Sequence, residues 1–448
     1  MKYTFKTFFF IAGVALLSAC EPKMNAFIPS AGSADFSKIV TLGNSYTAGY
    51  ADGALYTSGQ SYSYANIIAQ QMQLVGGSSF IQPSVNNDAG LLPGKLKLDF
   101  SANCLGIRSL GPIPAGGTPT GMPAALAPVG YSVNNFGVPG AKSYHLVAPG
   151  YGNPAGLVTS PATANPYFVR FASSIITTIL ADAMAANPTF FSLWIGNNDV
   201  LGYSTSGGMG DLITSQGLFT SALTAIITNL TAKGAKGIVA NIPDVTSLPF
   251  FTTIPYNGLV LIRQGQVDSL NRAYGSGALG INFAIGPNAF VIADPTSPIK
   301  MRQIKSTEMI LLSLPQDSIR CKGWGSRKPI PGQYTLVASE VSAVQTATVG
   351  FNQTLKSLAD SKGLAFVDVN SFLKNVKETG LVYDGMRFSL TYVTGGVFSL
   401  DGIHLTPRGN AIVANYFMDA INSKFSSSLP HVNIGDYPGI IFPDSFKK

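Results

Sequence analysis

The chain has 448 residues, 46% of them hydrophobic, which is enough to bury the core of one large or two ordinary domains and excludes a disordered chain. Charged residues make up only 11%, against about 25% in typical globular proteins, and Gly and Pro number 48 and 28, so many turns and a surface of neutral polar side chains are expected. The net charge of +7 comes without a long Lys/Arg run interleaved with aromatics, which argues against a nucleic-acid-binding stripe, and the densest basic stretch, RCKGWGSRK at 320–328, reads as a solvated loop, with an anion site as the competing reading.

Lys2 and Lys6 precede an apolar stretch from Phe8 to Leu17. It falls well short of the roughly 20 residues of a membrane-spanning helix and suits an export signal. Leu17-Ser18-Ala19-Cys20 follows directly and resembles the bacterial lipobox, in which cleavage precedes the cysteine and lipid is attached to it. The expectation is a signal peptide over 1–19, a lipidated tether over 20–35 and acyl chains, palmitate among them, on Cys20. These would hold the protein on a bacterial cell envelope, with the outer membrane expected and its face left open. The competing reading is an ordinary signal peptide with an incidental cysteine. With Cys20 taken by lipid, Cys104 and Cys321 remain in an oxidising compartment. A disulfide between them and two free thiols both stay open, because sequence gives no separation between them.

In VTLGNSYTAG at 39–48 a β-branched run ends in Gly43-Asn44 turn chemistry. The chain should leave a buried strand and bend sharply at Ser45, putting its hydroxyl at the carboxyl end of the strand, where open α/β sheets form their ligand crevices. A serine N-cap of the following helix is the competing reading. Downstream, 64–74 looks helical and YSVNNFGV at 131–138 begins as a strand. Phe168, Phe171, Ile175, Ile179 and Ala183 share a helical face, and TFFSLWIG at 189–196 is a strand. Helix 217–233 leads to strand 236–242, and a long helix through 338–361 leads to strand 364–369. The last helix opens with Thr406 as N-cap and Pro407 at its first position. This alternation argues a parallel sheet covered by helices on both faces. Insertions near 76–130, 200–214 and 244–335 read as loops or a cap decorating one domain over 36–428, followed by a C-terminal tail over 429–448. The apolar stretch 241–258 is either a hydrophobic tuck or the lining of an apolar substrate groove.

A serine nucleophile needs a base, a group that orients the base, and donors for the oxyanion. Of the three histidines, His431 lies beyond the last helix and reads as a surface residue. His145, after a glycine turn, reads as a satisfied helix-face histidine. His404 sits in SLDGIHLTPRG with Asp401 three residues earlier, so one turn can hold the carboxylate against the imidazole. A turn aspartate and a capping-region histidine are the competing reading of that pair.

These residues resemble the SGNH (GDSL-type) esterases and lipases in four separated blocks. Gly43-Asn44-Ser45-Tyr46 is similar to the family's Gly-Asp-Ser-Leu, and NNFGVPGA carries Gly140 at its oxyanion glycine. Gly196-Asn197-Asn198-Asp199 is similar to Gly-x-Asn-Asp, and Asp401-Gly402-Ile403-His404 to Asp-x-x-His. The resemblance implies a three-layer α/β/α, flavodoxin-like fold with a mainly parallel sheet and large loop insertions. It implies Ser45 as nucleophile, His404 as base, Asp401 as its orienter, and an oxyanion hole from the Ser45 and Gly140 N–H groups and the Asn198 side chain. Asp199 is expected to fix its own loop by an Asx-type bond. Asn44 departs from the family aspartate, keeping a turn hydrogen bond but losing the charge. Tyr46 replaces leucine and is expected to narrow one side of the site.

The expected function is thus a lipid-anchored envelope serine esterase or lipase that needs no metal and no cofactor. Its partners would be an ester substrate, either an acyl lipid or an acylated glycan, and the membrane, with no nucleic acid. A carbohydrate acetylesterase and a non-catalytic binding lipoprotein of the same fold stand as alternatives.

Overall fold

The β-branched run that ends at the Gly43 turn forms strand β1 (Ile39–Gly43), buried along its whole length. It is flanked in parallel by β2 (Asn135–Gly137) and β3 (Phe190–Trp194), with Thr41 opposite Asn135 and Leu42 opposite Leu193. Two further parallel strands, β4 (Lys236–Ala240) and β5 (Ala365–Val367), extend the sheet beyond β3. The strand order is therefore 2-1-3-4-5. That is the flavodoxin-like order, and its switch point lies between β1 and β3, where successive connections leave in opposite directions and open a crevice at the carboxyl ends of the strands. The computed structural model describes residues 27–121 and 128–444, so Cys20 and the export signal lie outside the described residues.

Among the helices, in chain order, are α1 (Ser45–Ala48), α2 (Tyr64–Gln73), α3 (Pro166–Val169), α4 (Ile179–Ala185), α5 (Asn198–Thr205), α6 (Gln216–Thr231), α7 (Ala338–Ser361), α8 (Val369–Thr379) and α9 (Pro407–Phe425). Helix α9 packs on α2 and on β4 and β5, whereas α7 packs on α6 and on the same strands, and α4 packs on β1. This makes the mixed α/β layering that the alternation predicts. Trp194, Tyr64 and Phe417 meet in one layer of the core, with the Tyr64 and Phe417 rings 5.2 and 5.7 Å from the indole. As predicted, the Thr406 hydroxyl caps α9, accepting from Gly409 N at 2.9 Å, with Pro407 at the first position. No helix among the described residues is long and apolar enough to cross a membrane.

Four local expectations are corrected. The helical face predicted over 168–183 is split into α3 and α4, and Ile175 between them is 58% exposed. Here the carboxylate of Asp182 accepts from Ser173 N at 3.0 Å and Thr177 Oγ1 at 2.6 Å, while Thr178 caps Ala181 N at 3.0 Å. Short polar side chains thus compete with the helical ladder. Of the strand expected from residue 131, only Asn135–Gly137 pairs in the sheet; Asn134 before it donates its N–H to the Ile81 carbonyl and accepts from Ile81 N on its Oδ1, while its Nδ2 donates to the Ile39 carbonyl at 3.2 Å. The insertion expected over 200–214 begins as helix α5. Residues 320–322 of the basic stretch end a helix, Gln316–Lys322, although Arg320, Lys322, Arg327 and Lys328 are all exposed.

The first insertion carries an antiparallel hairpin, Leu96–Ala102 with Arg108–Pro114. Cys104 at its tip forms a disulfide with Cys321 of the insertion over 244–335, the Cα atoms 6.5 Å apart. The insertion over 244–335 has apolar clusters of its own, around Leu261, Val267 and Phe283 and around Phe290, Ile304 and Ile310. Arg302 ties it together, donating to Asp294 at 2.6 Å and to both oxygens of Glu308 at 2.7 and 2.8 Å. Within 241–258, Val245, Leu248 and Phe251 are each 1% exposed and form a tuck into the main core, while Phe250 is half-buried and donates its N–H to the Gly402 carbonyl at 2.9 Å.

Candidate active site

Ser45 is the first residue of the one-turn helix α1. Gly43 makes that turn possible, since a Cβ there would lie 2.1 Å from Thr47 Oγ1 and 2.5 Å from the Trp194 carbonyl oxygen. The helix is capped by Asn44, whose Oδ1 accepts from Tyr46 N at 3.1 Å. The Ser45 hydroxyl is left for another partner, and it finds His404 Nε2 at 2.8 Å. The N-cap reading therefore belongs to Asn44. Its Nδ2 also donates to Asn197 Oδ1 at 3.0 Å, which ties the serine turn to the loop after β3. The neutral pair leaves Asn197 Nδ2 buried without a partner among the described residues.

His404 lies in the turn before α9, and its Nδ1 is 2.8 Å from Asp401 Oδ2. The other oxygen, Oδ1, accepts from Ile403 N at 2.9 Å, His404 N at 2.8 Å and Ser399 Oγ at 3.2 Å, while Gly53 N donates to Oδ2 at 3.1 Å. Burial opposes the charge on Asp401, but the adjacent imidazole and these N–H donors outweigh it and hold the carboxyl well below the usual carboxylate range. The Asp52-Gly53 turn braces this turn a second time. Asp52 N donates to Ser399 Oγ at 3.0 Å, and Asp52 Oδ1 accepts from Leu400 N at 3.0 Å. Asp52 is itself pushed upward by burial, against the bonds from Leu400 and Tyr56.

Tyr46 is buried, with its ring centroid 5.4 Å from that of His404. Its ring stacks on Trp194 with centroids 4.8 Å apart, and its hydroxyl donates to the Ile403 carbonyl at 2.8 Å, joining the serine turn to the histidine turn. Tyr50 also flanks the imidazole, its ring centroid 4.7 Å from that of His404. Burial raises the Tyr50 phenol well above its ordinary value, so it stays neutral.

Gly140 follows β2 with φ of +81°, a left-handed conformation that favours glycine. Neither its N–H nor that of Ser45 bonds to an acceptor among the described residues. The Ser45 N–H is free for the general reason that the first helical positions have no intrahelical acceptor. Asn198, at the start of α5, is partly exposed, and its Nδ2 donates to the Ala141 carbonyl at 2.9 Å. An amide nitrogen has two N–H bonds, so one braces the Gly140 loop and one remains. Asp199 does not cap its own loop. It is fully buried and accepts from Ser143 N at 2.8 Å and Ser143 Oγ at 2.7 Å, clamping the loops after β2 and β3 together. Burial raises its carboxyl against these bonds.

The remaining histidines stand apart from this cluster. His145 Nδ1 accepts from Lys142 N at 3.0 Å and its ring stacks on Tyr151 at 4.2 Å, burial holding its pKa down to about 4. His431 is exposed and pairs with Asp419 at 2.7 Å. No group of three or more His, Cys, Asp or Glu side chains among the described residues could hold a metal ion.

The structure thus brings Ser45, His404 and Asp401 into one hydrogen-bonded line and sets Gly140 and Asn198 in neighbouring loops. Sequence reasoning missed Ser399, which bonds Asp401 two residues on, and also Asp52, Gly53 and Ser143, which act from hundreds of residues away or across adjacent loops and carry no local spacing signal.

Among solved structures, a GDSL-like lipase from Parabacteroides merdae is 13% identical, with 88% of this chain and 99% of that chain covered and a TM-score of 0.34. An acetylxylan esterase from Geobacillus stearothermophilus, solved as a catalytic mutant, is 12% identical over 87% of this chain and 95% of that one, with a TM-score of 0.35. No curated protein matches the chain. The model of the GDSL-like lipase/acylhydrolase family matches residues 39–417, spanning every element of the site from the serine turn to the last helix. The chain belongs to the GDSL-like lipase/acylhydrolase family and is a carboxylic ester hydrolase.

Proposed function

We propose that Ser45, His404 and Asp401 are the catalytic triad of this hydrolase. The observation that carries the reading is the unbroken line from Ser45 Oγ to His404 Nε2 and from His404 Nδ1 to Asp401 Oδ2, 2.8 Å at each step. Ser45 Oγ attacks the acyl carbonyl carbon as its proton passes to Nε2, and Asp401 stabilises the imidazolium that results. The oxyanion is met by the N–H groups of Ser45 and Gly140 and by the second N–H of Asn198. Collapse expels the alcohol, which takes the proton from Nε2. Water then attacks the acyl-enzyme by the reverse route, releasing the acid and the free serine.

Turnover of p-nitrophenyl esters of graded acyl length tests this reading and sorts acyl lipids from short acyl groups on glycans. In the same assay Asn198→Ala is expected to lower kcat by roughly 10²–10³-fold with KM little changed, because the donor acts on charge that develops in the transition state. An effect confined to KM would make Asn198 a substrate-binding residue instead.

The enzyme is further proposed to work at a bacterial cell envelope, most simply the outer membrane, held by lipid on Cys20. Its support is the short apolar segment running into Leu17-Ser18-Ala19-Cys20. Metabolic palmitate labelling should be lost in Cys20→Ser, and labelling that persists in that variant would remove the anchor.

A further inference from the structure

The peptide that carries the Gly140 N–H is gripped from behind. Asn165 caps α3 and is 8% exposed, with its Oδ1 accepting from Tyr167 N at 2.9 Å and Phe168 N at 3.4 Å. Its Nδ2 donates to the Pro139 carbonyl at 2.9 Å and to the Tyr151 hydroxyl oxygen at 3.0 Å. The amide has two N–H bonds and two principal lone-pair positions, and all four have partners.

Pro139 O and Gly140 N–H belong to a single planar peptide unit and point in opposite directions across it. Holding the carbonyl toward Asn165 therefore aims the N–H away from Asn165. The proline ring fixes φ at 139, so the plane can turn only about ψ of Pro139 and φ of Gly140. Glycine makes the second of these rotations cheap. Ala141 N donates to the Val138 carbonyl at 3.0 Å and closes a turn around this peptide, but the middle peptide of such a turn makes no bond within it, and a Cβ at Gly140 would meet only Asn165 Nδ2, at 3.7 Å. The bonds from Asn198 to Ala141 and from Asp199 to Ser143 hold the loop downstream of this peptide, not the peptide itself.

We propose that Asn165 is a positioning residue for the oxyanion hole, fixing the direction of the Gly140 N–H through the Pro139 carbonyl. This rests on the reading of Gly140 as an oxyanion donor. It also gives a role to the long excursion between β2 and β3, which returns to the site to place this one amide.

Asn165→Asp separates the clamp from the cap. Aspartate caps a helix as well as asparagine and keeps the acceptor for Tyr167 and Phe168, but it has no N–H for Pro139. Its kcat is expected to fall by about 10- to 100-fold with KM within about twofold, short of the 10²–10³ that loss of a whole donor costs. Asn165→Ser, which caps but cannot reach Pro139, should give the same split if the aspartate variant fails to fold. Tyr151→Phe is the control for general disturbance. It removes the other acceptor of Asn165 Nδ2 and leaves the Pro139 bond, so kcat should stay at the wild-type value. Wild-type kcat in folded Asn165→Asp or Asn165→Ser, or an equal loss in Tyr151→Phe, overturns the inference. Ser45→Ala measured alongside keeps the two readings apart. If it retains turnover, the triad reading falls, whereas if it abolishes turnover while Asn165→Asp is unaffected, only the clamp falls.

Discussion

Ser45→Ala is expected to lower ester turnover by roughly 10⁴–10⁶-fold, the range found when a serine nucleophile acting in a triad is removed. The same change should leave the fold in place. Asn44, not Ser45, caps α1, and the only side-chain partner of the Ser45 hydroxyl among the described residues is His404 Nε2. The roughly 1 kcal/mol that loss of a helix cap costs is therefore not at stake, and the melting temperature should move little. His404→Ala should be as severe as Ser45→Ala, and the double variant no worse than either single one, because nucleophile and base act as a unit. Thermal denaturation and turnover on the same preparations check both halves. Retained turnover together with a clear stability loss would make Ser45 a structural residue.

Asp401→Asn is the next largest effect, a fall in kcat of roughly 10⁴-fold with the protein folded. The hydrogen bonds dictate how the amide must sit. Oδ1 of Asp401 accepts from three donors, Ile403 N, His404 N and Ser399 Oγ, whereas Oδ2 accepts from His404 Nδ1 and Gly53 N. The amide oxygen will take the place with three donors, which turns the NH₂ group toward the imidazole. His404 Nδ1 must then accept, leaving the proton on Nε2, where it faces Ser45 and cannot receive another. The variant also reports on acid stability. Because the folded carboxyl lies below its unfolded value of about 4, its ionised form stabilises the fold above that pH, and this share is lost as pH falls through the folded value. The stability gap between wild type and Asp401→Asn should therefore shrink on acidification. A gap that widens would contradict the assignment.

Much of the fold was legible because strand and helix periods and turn residues act locally. The run into Gly43, the strand 189–196 and the Thr406-Pro407 start of the last helix all read directly from neighbouring residues. The stretch 168–183 misled because its apolar spacing is helical while its Ser and Thr side chains hydrogen-bond to Asp182 and break the ladder. At the site, Ser45, Asp401 and His404 stood out by residue type and short spacing. Their supports did not. Asp52-Gly53 reads as an ordinary turn, and nothing in the sequence says that it closes on Asp401 from 348 residues away. The bracing by Tyr46 is hidden for the same reason, since stacking on Trp194 and donation to Ile403 depend on how β1, β3 and the last turn meet. In a chain with 48 glycines, Gly43 and Gly140 are marked as site residues only by the motifs around them.

The central claim is that the Ser45 hydroxyl is an activated nucleophile, and a fluorophosphonate probe measures this most directly. Peptide mapping of the folded wild-type protein after reaction should place a single covalent adduct on Ser45, with labelling suppressed in His404→Ala, where the hydroxyl has lost its base. An adduct on a different serine, or none on folded protein, would contradict the account.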